Sequence, residues 1–196
     1  EGREEGVLDK QEHFYSEGYL DTQLQRISHV INKKIEKDSA GIFTCLGLGI
    51  SAFKQGNYTD GLKLCQIAHD ISKLISNGIF LSLCQKNIGT IYHYQGKYTE
   101  ALIFYEKALL LIKNLKLKKE IAGIYNNMGE TYRMINNFDQ AIQYFTRALN
   151  FRKQSGQETA YANTLSNLGL VYFDRNNYNQ AMSCFKRALE ICIKKG

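Results

Sequence analysis

The chain has 196 residues, 44% of them hydrophobic and 22% charged, with a formal net charge of +6, a composition ordinary for a globular protein and a length that can bury a sizeable core. It holds no proline and no tryptophan, which removes the usual punctuation of hairpin-rich β folds and argues against a β-sandwich. No apolar run approaches the roughly 18 residues needed to cross a bilayer, and the opening EGREEGVLDK lacks the basic start and apolar stretch of a secretory leader, so no membrane insertion and a cytoplasmic setting are expected.

The sequence starts at Glu1 rather than Met, as a fragment of a larger polypeptide would. Residues 1–18 form an acidic leader; the first twenty residues carry a net −4, which leaves +10 for the rest. That basic excess is spread along a lysine-rich chain and selects no partner by itself. The leader has no apolar stripe and is expected to be mobile, although Phe14, Tyr15 and Tyr19 could dock on the first repeat and its acidity suits the basic body. Over 19–37, Leu20, Leu24, Ile27, Ile31 and Ile35 mark an amphipathic helix covering the open N-terminal end.

From residue 38 the chain repeats itself. Gly49, Gly89, Gly129 and Gly169 stand forty residues apart, as do Tyr58, Tyr98, Phe138 and Tyr178, and Ala68, Ala108, Ala148 and Ala188. Such a fixed period decides architecture before any local reading. Apolar residues inside each block recur three and four apart, as in Leu102, Tyr105, Leu109 and Ile112, the period of a helix. Each block therefore reads as two helices, the first at 39–54, 79–94, 119–134 and 159–174, the second at 58–75, 98–114, 138–153 and 178–195. Gly56, Gly96, Asn136 and Asn176 sit between them, residue types that tolerate positive φ at a helix end. Asn57, Asn137 and Asn177 can cap the second helix, with Asp60, Glu100 and Asp139 in its first turn and Lys73, Lys113 and Lys153 at its far end.

These positions resemble the tetratricopeptide repeat (TPR) family. Its pattern of small and aromatic residues is met by Gly89, Tyr92, Ala101, Tyr105 and Ala108, by Gly129, Tyr132, Ala141, Phe145 and Ala148, and by Gly169, Tyr172, Ala181, Phe185 and Ala188. The first block departs from it, with Ala52, Gly61 and Cys65 at three of those places. Forty residues exceed the usual 34, and repeats of this length are similar to those of LGN/Pins adaptors, Rap-type regulators and kinesin light chains. HEAT and armadillo arrays share the period but lack this pattern and usually carry proline. The resemblance implies an all-α, right-handed superhelical solenoid of TPR hairpins: the 19–37 helix as a degenerate half repeat, then TPR 1 over 38–76, TPR 2 over 77–116, TPR 3 over 117–156 and TPR 4 over 157–196.

It also implies that the first helices line a concave groove. In TPR 2 the groove face carries Lys86, Asn87, Thr90, His93 and Tyr94; in TPR 3, Asn126, Asn127, Glu130, Arg133 and Met134; in TPR 4, Ser166, Asn167, Leu170, Phe173 and Asp174. Asn87, Asn127 and Asn167 form a column two residues before each Gly. An amide offers donors and an acceptor, so such a column can hold the main chain of an extended peptide whatever its sequence; the plain alternative is three solvated positions in an Asn-rich chain. Lys86 and Arg133 could take a carboxylate. TPR 1 has Gly47 in place of the Asn and presents Phe43, Leu46, Ile50 and Phe53, covered either by the 19–37 helix or leader, or by a partner's side chain.

Catalytic signals are lacking. His13, His29, His69 and His93 are scattered, and no HExxH, GxSxG or GxxxxGK[ST] motif occurs. The five cysteines, at 45, 65, 84, 184 and 192, fit neither a zinc pair nor a disulfide framework and read as reduced, buried thiols. The densest basic patch, Lys113, Lys116, Lys118 and Lys119, lacks an aromatic platform for bases, so nucleic acid is not the expected partner. The expected function is a non-enzymatic, cofactor-free adaptor or scaffold that binds a protein or peptide segment in the groove. The alternative is a peptide-sensing regulatory domain that switches an attached output domain in the Rap manner. Self-association through the 178–195 helix is a third reading.

Overall fold

The computed structural model describes residues 22–25 and 37–195. Among them no strand occurs, and eight long helices succeed one another: α1 (Ser39–Lys54), α2 (Tyr58–Leu74), α3 (Gly78–Tyr94), α4 (Tyr98–Ile112), α5 (Lys118–Met134), α6 (Phe138–Gln154), α7 (Glu158–Asp174) and α8 (Tyr178–Lys195). Each lies within two residues of the helix read from the periodicity. The architecture is all-α, a run of packed helical hairpins. Residues 22–25 are helical with Leu24 buried; the rest of the 19–37 helix and the acidic leader lie outside the described residues.

In three of the four hairpins the turn is built from two residues with complementary tasks; in the α3–α4 turn Gly96 takes the positive φ, but Lys97 makes no side-chain cap. Asn136 adopts φ 59°, and its N–H reaches the Arg133 carbonyl while that of Asn137 reaches Tyr132, both at 2.9 Å, the paired bonds that close a helix C-terminus. Asn137 then turns its side chain forward and accepts from the Gln140 N–H at 3.3 Å, capping α6. Gly56 with Asn57, and Asn176 with Asn177, repeat this arrangement. One helix thus ends and the next begins on adjacent residues. The turns between hairpins use Ser76 and Gly156 at positive φ, and Asn77 caps α3 through the N–H groups of Ile79 and Phe80.

The chain divides into two compact units, one up to Cys84 and one from Gln85. In the first, Ile42, Cys45, Leu46, Cys65, Ala68 and Ile71 are buried between α1 and α2. Leu46, on the face expected to be covered by the 19–37 helix or leader or by a partner's side chain, is buried. Phe43 and Ile50 of that face are exposed, Phe43 meeting Phe80 edge-on at 5.2 Å. Burial raises the Cys45 thiol to about 11 and those of Cys65 and Cys84 to about 12, so all three are protonated apolar fillers. Cys184 is buried too, but Cys192 is exposed, which corrects the expectation of uniformly buried thiols: it lies on the outer side of α8.

In the second unit two apolar clusters hold successive hairpins. One gathers Tyr105, Ala108, Ile112, Ile121, Ile124 and Met128 across α4 and α5; the other joins α6, α7 and α8 through Phe145, Leu149, Leu165, Val171 and Ala188. Tyr105 and Phe145 are almost fully buried, each worth roughly 2–3 kcal/mol in transfer terms. Their rings lie against the glycines of the preceding helix. A Cβ placed on Gly129 would come within 2.9 Å of Phe145, one on Gly89 within 2.8 Å of Tyr105, and one on Gly169 within 2.6 Å of Phe185.

Gly129→Val is expected to cost about 3 kcal/mol or more by overpacking, whereas Gly123→Ala on the same helix, where an added methyl meets nothing within 4 Å, should gain up to about 1 kcal/mol from helix propensity. Urea unfolding of the two variants checks this; equal effects would show that the crossing is not sterically limited.

Candidate functional site

Because the buried stripes of α3, α5 and α7 run through Ile88, Met128 and Leu168, the polar residues flanking them share one edge of each helix. Lys86, Asn87, Thr90 and His93 on α3, Asn126, Asn127, Glu130 and Arg133 on α5, and Ser166 and Asn167 on α7 are half-buried, while Leu170 and Phe173 are exposed. Hydrogen bonds tie these edges together. The Asn127 amide donates to Thr90 Oγ1 at 3.3 Å, an atom that also accepts from the buried Tyr105 hydroxyl and gives its own proton to the Lys86 carbonyl. Thr164 donates to Asn126 Oδ1 at 3.0 Å, and the Asn167 amide reaches the same oxygen at 3.4 Å.

The three column asparagines differ in what they leave unused. Asn87 makes no side-chain hydrogen bond to another described residue. Asn127 and Asn167 each commit an N–H to a neighbouring helix through a long contact, and their carbonyl oxygens accept from no described residue. Asn126, by contrast, has its carbonyl oxygen taken twice and works as a tie between α5 and α7.

His93 and Arg133 are likewise engaged. The Thr131 hydroxyl spends its proton on the main-chain carbonyl of Asn127 at 2.8 Å, so it is His93 Nδ1 that donates across the 2.9 Å contact to Thr131 Oγ1. This leaves Nε2 as the acceptor of a neutral ring packed edge-on against Tyr94 and Tyr98. Burial holds the His93 pKa below its ordinary 6.5, with Glu130 pulling up and Arg133 pushing down. Arg133 donates to Asp174 at 2.7 Å with both side chains partly covered; a ligand carboxylate would have to displace Asp174. Lys86 has no such partner among the described residues: burial lowers its pKa against the opposing charge of Glu120. Ser166 is turned inward to the Ala162 carbonyl. Leu170 and Phe173, with Tyr94 and Met134, add exposed apolar surface beside the amides.

Thr131 and Thr164, both fully buried, were missed in the sequence. A signal existed: in register with Thr131 stand Ile91 and Val171, and in register with Thr164 stand Cys84 and Ile124, so a hydroxyl at either place breaks the apolar run. The Lys113–Lys119 patch is exposed at the α4–α5 turn and the start of α5. Among the described residues no group of three or more His, Cys, Asp or Glu could hold a metal ion, and no helix is long and apolar enough to cross a membrane.

A family model of the tetratricopeptide repeat matches residues 41–113 and 120–194. No curated protein matches the sequence. Among solved structures the chain is similar to BtubC (BKLC) from P. vanneervenii, at 23% identity and a TM-score of 0.70, covering 79% of this chain and 64% of that one. It is also similar to MamA, at 18% identity, a TM-score of 0.60 and 91% of each chain. A third likeness is to aspartyl phosphate phosphatase F from Bacillus subtilis, at 17% identity and a TM-score of 0.71, covering 79% of this chain and 40% of the phosphatase. At these identities the likeness is one of fold, and the chain spans less than two thirds of the first and third of these proteins.

A neutral buried histidine makes stability depend on pH with a definite sign. The unfolded chain takes up the proton first as pH falls below about 6.5, so stability due to His93 is complete above that value and is lost as pH drops toward the lower folded pKa. NMR titration should place the His93 midpoint below 6.5, and His93→Gln should flatten the pH dependence of stability over that range; a midpoint above 6.5 would contradict the buried, neutral assignment.

Proposed function

Because the chain belongs to the tetratricopeptide repeat family, a fold of generally non-catalytic interaction modules, we propose that it is a non-catalytic adaptor that binds an extended peptide or protein segment along the edge shared by α3, α5 and α7. The observation that carries this reading is the set of half-buried amides of Asn87, Asn127 and Asn167, one on each of the three helices, with Asn87 wholly uncommitted and the other two keeping their carbonyl oxygens. An amide that both donates and accepts can pair with a peptide unit, whose N–H and C=O recur along any extended strand. Lys86 supplies the cation for an acidic ligand group, and the exposed Leu170 and Phe173 supply apolar contact for its side chains. Cytoplasmic placement fits this role.

Replacing Asn87, Asn127 and Asn167 together by Ala should weaken peptides selected from an array by roughly 100-fold, about 1 kcal/mol for each lost hydrogen bond. Asn150→Ala, on the exposed side of α6, should leave them unchanged. Binding that survives the triple replacement would remove the amide mechanism.

A second reading, self-association, is favoured by α8. Met182 and Leu189 are more than half exposed, whereas Ile142 and Leu149, forty residues earlier, pack into the core of the following hairpin. Ile193 extends the bare stripe. Light scattering at high concentration should then exceed the mass of one chain and return to it in Leu189→Asp; a single-chain mass at every concentration would dispose of this reading.

A further inference from the structure

The repeat register makes one place in the second unit stand out. In TPR 3 the end of the second helix of the preceding hairpin is plugged by Ile112, Leu117, Ile121 and Phe151, all members of one apolar cluster. Forty residues later the same four positions hold Arg152, Gln157, Tyr161 and Ile191. There the plug is replaced by a cleft of about 640 Å³ lined also by Lys153, Glu158, Arg187 and Lys194. That volume falls in the range of small-molecule sites, roughly 300–1,000 Å³.

The lining chemistry is one-sided. Four cations face a single carboxylate, Glu158, and among the described residues no carboxylate pairs with Arg152, Lys153, Arg187 or Lys194. Arg152 is anchored: it crosses to α7, where it donates to the Ala160 carbonyl and to Thr164 Oγ1, while its Nε is buried without a hydrogen-bond partner among the described residues. Arg187 donates to the Tyr161 hydroxyl at 3.3 Å, which fixes one guanidinium and one ring edge at the mouth. Lys153 and Lys194 are exposed on either side. Like charges gathered around a cavity repel one another, and the arrangement is relieved by an anion that several of them share. A dianion with three acceptor oxygens satisfies more of these donors than a carboxylate does. The cleft is far larger than a bare phosphate needs, and Tyr161 and Ile191 give the remainder of it an apolar wall.

We propose that this cleft is a binding site for a small organic phosphate, its phosphate held by Arg187, Lys153 and Lys194 and its body lying against Tyr161 and Ile191. Arg152 stiffens the floor. The cleft is lined by α6, α7 and α8 and shares no lining residue with the amide column, to which Arg152 connects only through Thr164 and Asn126.

The probes are phenyl phosphate, inorganic phosphate and benzoate, titrated at constant ionic strength and followed by amide NMR shifts. Phenyl phosphate should bind saturably with shifts centred on residues 153–161 and 187–194, at least tenfold more tightly than benzoate and more tightly than inorganic phosphate. The double variant Arg187→Gln, Lys194→Gln, which alters only exposed side chains, should weaken it at least tenfold with an unchanged unfolding midpoint. Restoring the plug with Arg152→Ile, Gln157→Leu, Tyr161→Ile and Ile191→Phe should abolish binding in a chain that keeps its helical spectrum. Equal affinity for benzoate, shifts scattered over other lysines, or undiminished binding in the double variant would each overturn the site.

Discussion

Everything in the second unit depends on how closely two helices of a hairpin can approach. Where α3 crosses α4, α5 crosses α6 and α7 crosses α8, a ring from the second helix lies where the Cβ of any residue but glycine would be. The aromatic side chain gains its burial only because the opposing position is empty of side chain, and the glycine's cost in helix propensity, about 1 kcal/mol, is offset by a ring worth more than twice that. Gly49 in the first hairpin serves the same crossing with Cys65 in place of the ring, its missing Cβ lying near the Gly61 carbonyl and the Cys65 sulfur.

The crossing fixes the helix rotation, and the rotation determines which residues are left on the shared edge. With Gly129 turned toward Phe145, Asn127 is carried to the side of α5 that faces Thr90, and Thr131 to the side that faces His93. The buried Tyr105 hydroxyl, donating to Thr90, links the packing of the core to the polar edge directly. The edge is therefore held by bonds between successive first helices rather than by loops, which keeps its amides in fixed register. The same rigidity bounds what the edge can offer a ligand: Arg133 is already paired with Asp174 and the Asn126 carbonyl oxygen is taken twice, so the available groups are fewer than the polar residues present.

The fold was legible because the forty-residue period, the Gly–aromatic pairs and the Asn caps all describe local backbone geometry, which a single sequence records well. Asn57, Asn137 and Asn177 cap as their spacing suggests, and the helix limits agree within two residues. Features that depend on partners far apart in sequence were less legible. That Arg133 spends itself on Asp174, forty-one residues on, and that Asn126 joins Thr164 and Asn167, requires knowing the lateral offset between neighbouring helices, and periodicity gives only which face a residue occupies. Cys192 was misjudged for the same reason, since the burial of a helix face depends on what packs against it. The cleft at Arg152 could have been found by comparing each repeat with the one before, position by position, instead of asking only where they agree.

If the amides of α3, α5 and α7 grip the main chain of an incoming segment, their own signals must report it. The side-chain amide resonances of isotope-labelled protein, followed by NMR while a selected extended peptide is added, test this most directly. The Asn87, Asn127 and Asn167 signals are predicted to move together and saturate at one ligand per chain, with the outward faces of α4, α6 and α8 unmoved. Saturating shifts confined to those outward faces, with the three amides silent, would contradict the grip.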